Sequence, residues 1–327
     1  MKYAVPTFSY CGFEAFAATF AEKKCWSVNI GDYMQTLAIR NVYRLSGVRE
    51  SDVIEIDRDR IASYRGETAV MVLNGCYYAS SFPLPRPIIP IFMGLCVDEG
   101  VVVAHVAYFK EHEPIGCRDS ATCEAFRRHG VKAYVTGCLT MTFPPRSAQP
   151  SNAKTLLVYG GYAGAFPLEA LQSAPQEMLQ TMEPVSQRKI VHSHPLTPRD
   201  QRQAEEHARS LFEYYRDNAS LVITSLHHAA TPCLALGIPT IICRRHVDSR
   251  FSYIGNFVPV HVAPDFNEIE WAPQTVDLSE VRRDLLDKAA MEIERASERN
   301  GRSAFARVGW GGRRSLGHRL RQVIARV

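Results

Sequence analysis

Short apolar runs alternate with amphipathic stretches along most of the chain. The runs are rich in Val, Ile and Leu and are bounded by Gly, Pro or polar residues, which is typical of buried parallel strands. The amphipathic stretches repeat their apolar residues at helical spacing, so strand and helix alternate as in α/β folds. The predicted strands are Lys2–Phe8, Val53–Ile56, Ala69–Leu73, Ile88–Phe92, Thr155–Tyr159, Lys189–Val191, Leu221–Ile223 and Thr240–Cys243.

The helices are predicted from apolar spacing and from the residues at their ends. Apolar residues recur at helical spacing over Met34–Leu45, and Gly47 follows as a left-handed stop. Asp119 or Ser120 is expected to cap a helix that runs to His129. Further helices are predicted over Val101–Lys110, Pro167–Met182 and Pro198–Tyr215.

The segment Ser220–Cys243 contains the most complete strand, helix and strand unit. Leu221–Ile223 predicts a strand, the residues before Gly237 predict a short helix, and the apolar residues after it predict a second strand. Pro232 is best tolerated in a first helical turn, where its missing N–H would have no intrahelical partner. The helix is therefore expected to begin near His228.

Ser225, His227 and His228 occupy the turn between this strand and this helix. Open α/β sheets bind ligands at the carboxyl ends of their strands, and the N–H groups of a helix start attract anions. This placement predicts an anion-binding site. The alternative interpretation is that the two histidines are packed turn residues without a ligand.

Two further turns carry polar residues of the same kind. Asn29, Gly31 and Asp32 are predicted to form a loop before a helix, where glycine allows a ligand to approach backbone amides. Asp32 has the alternative interpretation of a plain N-cap. Asn74 and Gly75 are predicted to form a turn at the carboxyl end of a strand, and such a turn lines a ligand cleft.

Histidines and arginines follow three other predicted strands. His192 and His194 lie at one strand end, but no third ligand with a recognisable spacing accompanies them, so we predict polar cleft residues and no metal site. Arg118 projects from the end of a second strand and is interpreted alternatively as solvated or as paired with Asp119. Beyond the third strand end lie Arg244, Arg245, His246 and Arg250.

Length and composition predict two cytoplasmic α/β domains. A chain of 327 residues with 46% hydrophobic residues suits two domains, and the polar, proline-rich segment Phe143–Lys154 is the predicted linker. We expect doubly wound, Rossmann-like domains over 1–145 and 154–275, facing across a cleft, followed by helices over 276–327. The nine cysteines form no C-x-x-C pair, which favours reduced thiols over disulfides or zinc.

Several partners are not predicted. A net charge of +4 is too weak to indicate nucleic-acid binding. The glycine cluster Gly160–Gly164 lacks the spacing of a dinucleotide fingerprint, so it predicts a flexible loop and no cofactor. The apolar window Ile88–Phe109 is interrupted by Pro90, Asp98 and Glu99, which excludes a clean membrane-spanning helix.

The C-terminal tail is basic and amphipathic. From Gly301 to Val327 it contains no acidic residue, and its apolar residues fall on one helical face. One interpretation is peripheral contact with an anionic membrane surface; the other is a closing helix packed on the body of the protein.

The string VITSLHHAATPCLALGIPTII, residues 222–242, resembles the second-domain signature of the polysaccharide pyruvyl transferase family. That signature is a strand followed by (T/S)(D/S)RLH, a helix of small residues and a GxP turn. His228 takes the place of the family histidine, and Leu226 takes the place of its arginine. The stretches NIGD, IGCRD, GCLTMTF and DSRF, which follow one another in this order, are also similar to segments of the family.

The resemblance implies a two-domain fold like that of the GT-B glycosyltransferases. It also implies transfer of a pyruvyl group from phosphoenolpyruvate to hydroxyls of a saccharide, free or lipid-linked, in cell-surface polysaccharide biosynthesis. The donor carries a carboxylate and a phosphate, which need cations and helix N-termini. Those groups are predicted to be bound by Arg118, Arg244, Arg250 and the amides after His228.

The same chemistry needs a proton for the enol carbon and a base for the sugar hydroxyl. His228 is predicted as the acid, and Asp32 or His194 as the base. The remaining predicted substrate-binding residues are Ser225, His227, Asn29, Gly31 and Asn74.

Two other functions stay open because Leu226 replaces the family arginine. The first is a GT-B glycosyltransferase that uses a nucleotide sugar. The second is a non-catalytic relative that binds a saccharide or acts as a scaffold. A nucleoside diphosphate would stabilise the first against heat, whereas neither donor would turn over in the second.

Overall fold

Strands and helices alternate through the residues that the computed structural model describes, which are 1–160 and 165–299. The strands are β1 (Lys2–Thr7), β2 (Trp26–Asn29), β3 (Val53–Asp57), β4 (Ala69–Cys76), β5 (Ile88–Cys96), β6 (Ile115–Cys117), β7 (Ala133–Val135), β8 (Lys154–Tyr159), β9 (Glu183–Ser186), β10 (Arg188–Val191), β11 (Ala219–Thr224), β12 (Thr240–Cys243) and β13 (Val260–His261). The helices are α1 (Glu14–Lys23), α2 (Ile30–Leu45), α3 (Glu99–Ala104), α4 (Val106–Glu111), α5 (Ser120–Arg128), α6 (Gln176–Thr181), α7 (Pro198–Asn218), α8 (His227–Ala235) and α9 (Ser279–Arg299). The predicted basic tail helix and most of the predicted glycine loop lie outside the described residues.

The chain forms two compact units, and each is assembled from separate stretches. Unit 1 comprises Met1–Phe8, Ala38–Thr142 and the stretch that begins at Glu280. Unit 2 comprises Ser9–Leu37 and Phe143–Ser279, so an early segment belongs with the residues after the predicted linker. The domain bounds 1–145, 154–275 and 276–327 remain a prediction from sequence.

Unit 1 contains a sheet of six parallel strands in the order β3-β1-β4-β5-β6-β7. Every residue of β4 except Cys76 is buried, as expected for a strand with both faces covered. Its core includes Met71 and Leu73 together with Phe92, Phe109 and Phe126 from the strands and helices around it. The apolar runs of the sequence therefore form the centre of this sheet.

Unit 2 contains a sheet of five parallel strands in the order β13-β12-β11-β8-β9. A separate antiparallel pair joins β2 to β10, with Asn29 opposite Arg188 and Trp26 opposite Val191. The strand at Lys189–Val191 was predicted, but it does not belong to the parallel sheet. Its side chains are mostly only partly buried, which suits a two-stranded ribbon.

Both parallel sheets are doubly wound, which confirms the predicted α/β class. In each sheet the strand that comes first along the chain, β1 or β8, lies inside the sheet and has a later strand on either side. Such a reversal of strand order is where open α/β sheets bind ligands, beyond the carboxyl ends of the strands. In unit 2 the reversal falls between β8 and β11, and β11 is the strand that leads to His228.

Some local predictions were wrong. Pro167–Met182 is not one helix, because Pro175 interrupts it as the N-cap of α6 after a 3-10 turn over Leu168–Ser173. Val101–Lys110 is divided into α3 and α4 at His105, whose backbone angles are not helical. Asn74 and Gly75 lie inside β4, at a shift in its register with β5, rather than in a turn.

Candidate functional site

The turn between β11 and α8 presents His228 at the start of a helix. Leu226 is the N-cap of α8, and no side-chain hydrogen bond caps this helix start. Gly237, with φ of 72°, follows the helix as the predicted left-handed stop. His227 is buried and His228 is half-buried, so His228 is the more accessible residue of the two.

Pro232 lies inside α8 rather than in its first turn, which corrects the sequence-based placement. A residue at this position would normally donate its N–H to the carbonyl of His228, four residues earlier, and proline has no N–H. The side-chain amide of Gln187 donates to that carbonyl instead, at 2.8 Å. Gln187 thus replaces the missing helical bond directly at the candidate histidine.

The backbone of Gln187 also forms hydrogen bonds with two other segments. Its N–H donates to the carbonyl of Tyr159 at the end of β8, at 2.8 Å, and its carbonyl accepts from the N–H of Ile30, at 3.2 Å. Ile30 is the first residue of α2. One buried glutamine therefore connects the ends of β8, α2 and α8 within unit 2.

The NIGD segment packs against His228. Gly31 approaches the histidine so closely that a Cβ on residue 31 would lie 2.9 Å from the His228 Cβ and 3.2 Å from its Nδ1. Helix α2 begins at Ile30, so Gly31 and Asp32 lie in its first turn and not in a loop before it. The glycine is required here for close approach of the histidine.

Asp32 accepts hydrogen bonds from three side chains. The Tyr10 hydroxyl donates to Asp32 Oδ2 at 2.8 Å, and the Asn29 and Gln35 amides donate to Oδ1 at 3.3 and 3.5 Å. The carboxylate also lies in the first turn of α2, where the helix dipole favours negative charge. Asp32 is half-buried, so it is held in place and still reachable.

Tyr10 links Asp32 to His194. Its carbonyl oxygen lies 3.1 Å from His194 Nε2, and because a carbonyl only accepts, this nitrogen carries the proton in that contact. Tyr10 is buried and has a φ of 58°, an unusual angle for a bulky residue that occurs preferentially at functional sites. Tyr10 and Gln187 were not predicted from the sequence, although Tyr10 follows the carboxyl end of β1, the kind of position at which the other residues were predicted.

Arg244 connects the loop after β12 to the end of β11. Its guanidinium donates to the carbonyl of Ser225 at 2.7 Å and to Asp248 Oδ2 at 2.8 Å. It also lies 4.3 Å over the Phe251 ring. Burial lowers the pKa of Arg244, while the charge of Asp248 acts in the opposite direction.

Arg250 binds the same carboxylate from a more exposed position. Its Nε and Nη2 donate to the two oxygens of Asp248 at 3.0 and 2.6 Å, and 43% of its side chain is exposed. Burial raises the pKa of Asp248, but the hydrogen bonds and charges of both arginines outweigh it and hold the pKa below its ordinary value. Two guanidinium groups and one carboxylate leave a local excess of positive charge.

Ring contacts join this arginine pair to the histidine. The rings of His227 and His228 are 5.0 Å apart and perpendicular, and the His227 ring is 5.5 Å from Phe251. We call this connected set in unit 2 the histidine cluster. Of the predicted site residues it contains Asn29, Gly31, Asp32, His194, Ser225, His227, His228, Arg244 and Arg250.

Asn74 and Arg118 belong to a different group, in unit 1. Arg118 is buried, so it is not the solvated residue that was one interpretation of the sequence, and its Nη2 donates to Cys76 Sγ at 3.3 Å. Its Nε lies 3.9 Å from Asp119. The Asn74 side chain contacts Cys138 Sγ at 3.7 Å and accepts from the Leu139 N–H at 3.0 Å. We call Cys76, Cys96, Cys138, Asn74 and Arg118 the sulfur cluster.

Within residues 1–160 and 165–299, no three His, Cys, Asp or Glu side chains form a group that could hold a metal ion. No helix in these ranges is both long and apolar enough to cross a membrane.

The fold and the histidine cluster define an α/β protein with two parallel sheets and a polar strand-end site. The chain belongs to the polysaccharide pyruvyl transferase family, whose sequence model matches residues 29–246. The matched range begins at Asn29 and contains His228 and Arg118, whereas Tyr10 and Arg250 lie outside it.

Two solved structures are similar to this chain at low sequence identity. A functionally uncharacterized protein from Klebsiella pneumoniae is 11% identical, with a TM-score of 0.42, over 77% of this chain and 88% of that one. A structure of accessory secretory protein 1, 2 and 3 from Streptococcus pneumoniae is 9% identical, with a TM-score of 0.37, over 75% of this chain and 53% of that one. No curated protein matches the sequence significantly.

Proposed function

We propose that this protein transfers a pyruvyl group from phosphoenolpyruvate to two hydroxyls of a saccharide. Family membership supports this class of reaction. The observation that carries the proposal is the close approach of Gly31 to His228, which brings an acidic helix start against a half-buried histidine in unit 2. The cluster thereby combines an imidazole, a carboxylate and guanidinium groups.

In this reaction two sugar hydroxyls lose their protons, and their oxygens become the two oxygens of a ketal. The methylene carbon of the donor gains a proton, the first sugar oxygen adds to the central carbon, and the carbon–oxygen bond to phosphate breaks. The second sugar oxygen then completes the ketal. One hydroxyl proton ends on the new methyl group and the other on the departing phosphate, so neither an oxidant nor a reductant is needed.

His228 is the proposed acid and Asp32 or His194 the proposed base. A bound phosphate favours the protonated imidazole, which raises the pKa of a histidine beside it. Asp32 already accepts three hydrogen bonds, so its orientation is set before substrate arrives. Tyr10 joins Asp32 to His194, so the two candidate bases are held by one residue.

The donor anions are proposed to bind at the start of α8 and at Arg250. The first N–H groups of a helix attract phosphate, and no side-chain hydrogen bond caps this helix start. Arg250 is the more exposed of the two arginines on Asp248, so it reaches a ligand with the smaller rearrangement. Arg244, Arg118 and Asn74 remain predicted substrate contacts.

Phosphate release tests the reaction directly. Purified protein is incubated with phosphoenolpyruvate and candidate saccharides, and free phosphate is measured over time. His228→Ala is expected to lower the rate by about 10²–10⁴-fold, the usual contribution of a general acid. The exposed His192 provides a matched control, and His192→Ala should retain the wild-type rate. Equal rates for wild type, His228→Ala and Arg118→Ala would contradict these roles.

A thermal-shift comparison separates this function from nucleotide-sugar transfer. Leu226 supplies no cation at the helix start, so the identity of the donor needs its own test. Phosphoenolpyruvate should raise the melting temperature, because a ligand that binds only the folded state stabilises it. Stabilisation by nucleoside diphosphates alone would favour a glycosyltransferase instead.

A further inference from the structure

Two cysteines of the sulfur cluster face each other across neighbouring strands of unit 1. The register pairs Cys76 at the end of β4 with Cys96 at the end of β5, after the shift between Leu73 and Gly75. Neighbouring strands lie about 4.8 Å apart, within the Cα separation of about 4.4–6.8 Å that a disulfide spans. Both residues are partly exposed. A disulfide at this position needs no large backbone movement.

Two guanidinium groups contact Cys76. Arg118 Nη2 donates to Cys76 Sγ at 3.3 Å. Arg58 Nη1 donates to the Cys76 carbonyl at 3.4 Å. The nearby carboxylates are those of Asp119, 3.9 Å from Arg118, and Asp59, 2.7 Å from Arg58. Each carboxylate is therefore next to a guanidinium that also contacts Cys76.

These contacts distinguish the two sulfur atoms electrostatically. The hydrogen bond from Cys96 and the charges of Arg118 and Arg58 hold the pKa of Cys76 well below its ordinary value, although burial opposes them. The same hydrogen bond and burial raise the pKa of Cys96. These contacts therefore favour the thiolate form at Cys76 and the thiol form at Cys96.

We propose that Cys76 is a peroxide-reactive thiolate and that Cys96 resolves its oxidised form to a disulfide. The Cys76 sulfur attacks one oxygen of hydrogen peroxide, the O–O bond breaks, and hydroxide leaves, which makes Cys76 a sulfenic acid. The Cys96 sulfur then attacks Cys76, and the sulfenic oxygen leaves as water. One thiolate, one thiol and one peroxide become one disulfide, one water and one hydroxide ion.

Another close pair in the same unit lacks this arrangement. Cys117 and Cys123 are both buried, and burial raises the pKa of each thiol. Such thiols stay protonated and react slowly with peroxide or alkylating agents. The proposed chemistry therefore depends on Arg118 beside Cys76, and it does not require that pyruvyl transfer takes place.

Alkylation of the wild-type chain tests the thiolate without any variant. Short pulses of iodoacetamide across a pH series are followed by peptide mass spectrometry. Cys25, which is also partly exposed, serves as the internal reference. At about pH 6 Cys76 should react at least about tenfold faster than Cys25, because only a thiolate is alkylated readily. Equal rates at that pH would overturn the proposal.

Peroxide treatment tests the partner. Hydrogen peroxide should join the Cys76 and Cys96 peptides, and dithiothreitol should separate them. Cys96→Ser should leave a sulfenic acid on Cys76 that dimedone traps, whereas the matched control Cys138→Ser should form the same disulfide as wild type. Free Cys96 after oxidation of Cys76 in wild type, or a bridge from Cys76 to Cys138, would refute the assignment.

Discussion

The histidine cluster and the sulfur cluster both lie at the carboxyl ends of parallel strands, but their environments differ. In unit 2, His228, Asp32 and Arg250 retain partial exposure and interact mainly with polar groups. In unit 1, Arg118 is buried among three thiols and Asp119. Burial works against the charge of Arg118, yet those neighbours raise its pKa. A strand-end position therefore does not by itself distinguish a partly exposed arginine from a fully buried one.

The largest expected effect in this comparison comes from Arg118→Met. The substitution removes a buried cation and leaves the Asp119 carboxylate without the opposing charge, which costs about 3–5 kcal/mol. Arg128, an exposed arginine paired with Glu99, is the matched control, and Arg128→Met should cost less than about 1 kcal/mol. Urea denaturation measures both. Similar losses of stability in the two variants would show that a buried arginine in the sulfur cluster matters no more than an exposed one.

Gly31→Ala is expected to have the next largest effect. The added methyl group would lie 2.9 Å from the His228 Cβ, so helix α2 or the histidine must move, at a cost of about 1–3 kcal/mol. Gly255→Ala is the control, because no heavy atom lies within 4 Å of the added group. The melting temperature and the rate of phosphate release should both fall in Gly31→Ala, and both should stay at the wild-type value in Gly255→Ala. Wild-type values for Gly31→Ala would mean that the close approach is not needed.

Tyr10→Phe tests how Asp32 is held. The variant loses one hydrogen bond, while Asn29 and Gln35 still donate to the carboxylate, so the expected loss of stability is about 1 kcal/mol. Phosphate release should slow, and its pH profile should shift if Asp32 is the base. Tyr159→Phe, at an exposed position, should match wild type. An unchanged profile with Tyr10→Phe would favour His194 as the base.

The smallest effect is expected for Asp248, whose contribution to the free energy of unfolding depends on pH. Its pKa is lower in the folded state than the ordinary value of about 3.9, so its stabilising effect is present above that value and is lost as pH falls through the folded pKa. Because a third of the side chain is exposed, the loss should stay below about 1 kcal/mol. Acid titration of unfolding for wild type and Asp248→Asn measures it. Parallel curves below about pH 4 would exclude the contribution.

Local sequence signals predicted the strands and helices around β11 and α5 correctly. The apolar runs that became β11 and β12 are buried in the sheet, and Gly237 ends α8 as expected. Asp119 caps α5 by accepting from the Thr122 N–H at 2.9 Å. Such signals act within a few residues, so they can be read without knowing the fold.

Contacts between distant segments could not be predicted in this way. Gln187 donates to the carbonyl of His228, 41 positions away, in place of the N–H that Pro232 lacks, and no local pattern indicates that role. The ribbon of β2 and β10 joins segments far apart in the chain, so strand propensity alone could not indicate the strand with which β10 pairs. Arg118 is buried because three distant cysteines surround it, and its own neighbours in sequence gave no sign of that.

The antiparallel ribbon of β2 and β10 limits where the chain can be divided into fragments. A fragment that starts at Phe143, the first residue of the predicted linker, would omit β2 and leave the backbone of β10 without its antiparallel partner. It would also omit Tyr10 and Asp32 while keeping His228. Ile190 is already 67% exposed, so the open edge would carry an apolar side chain and invite self-association. A fragment chosen from the linker position alone would therefore expose an apolar strand edge and would lack part of the histidine cluster.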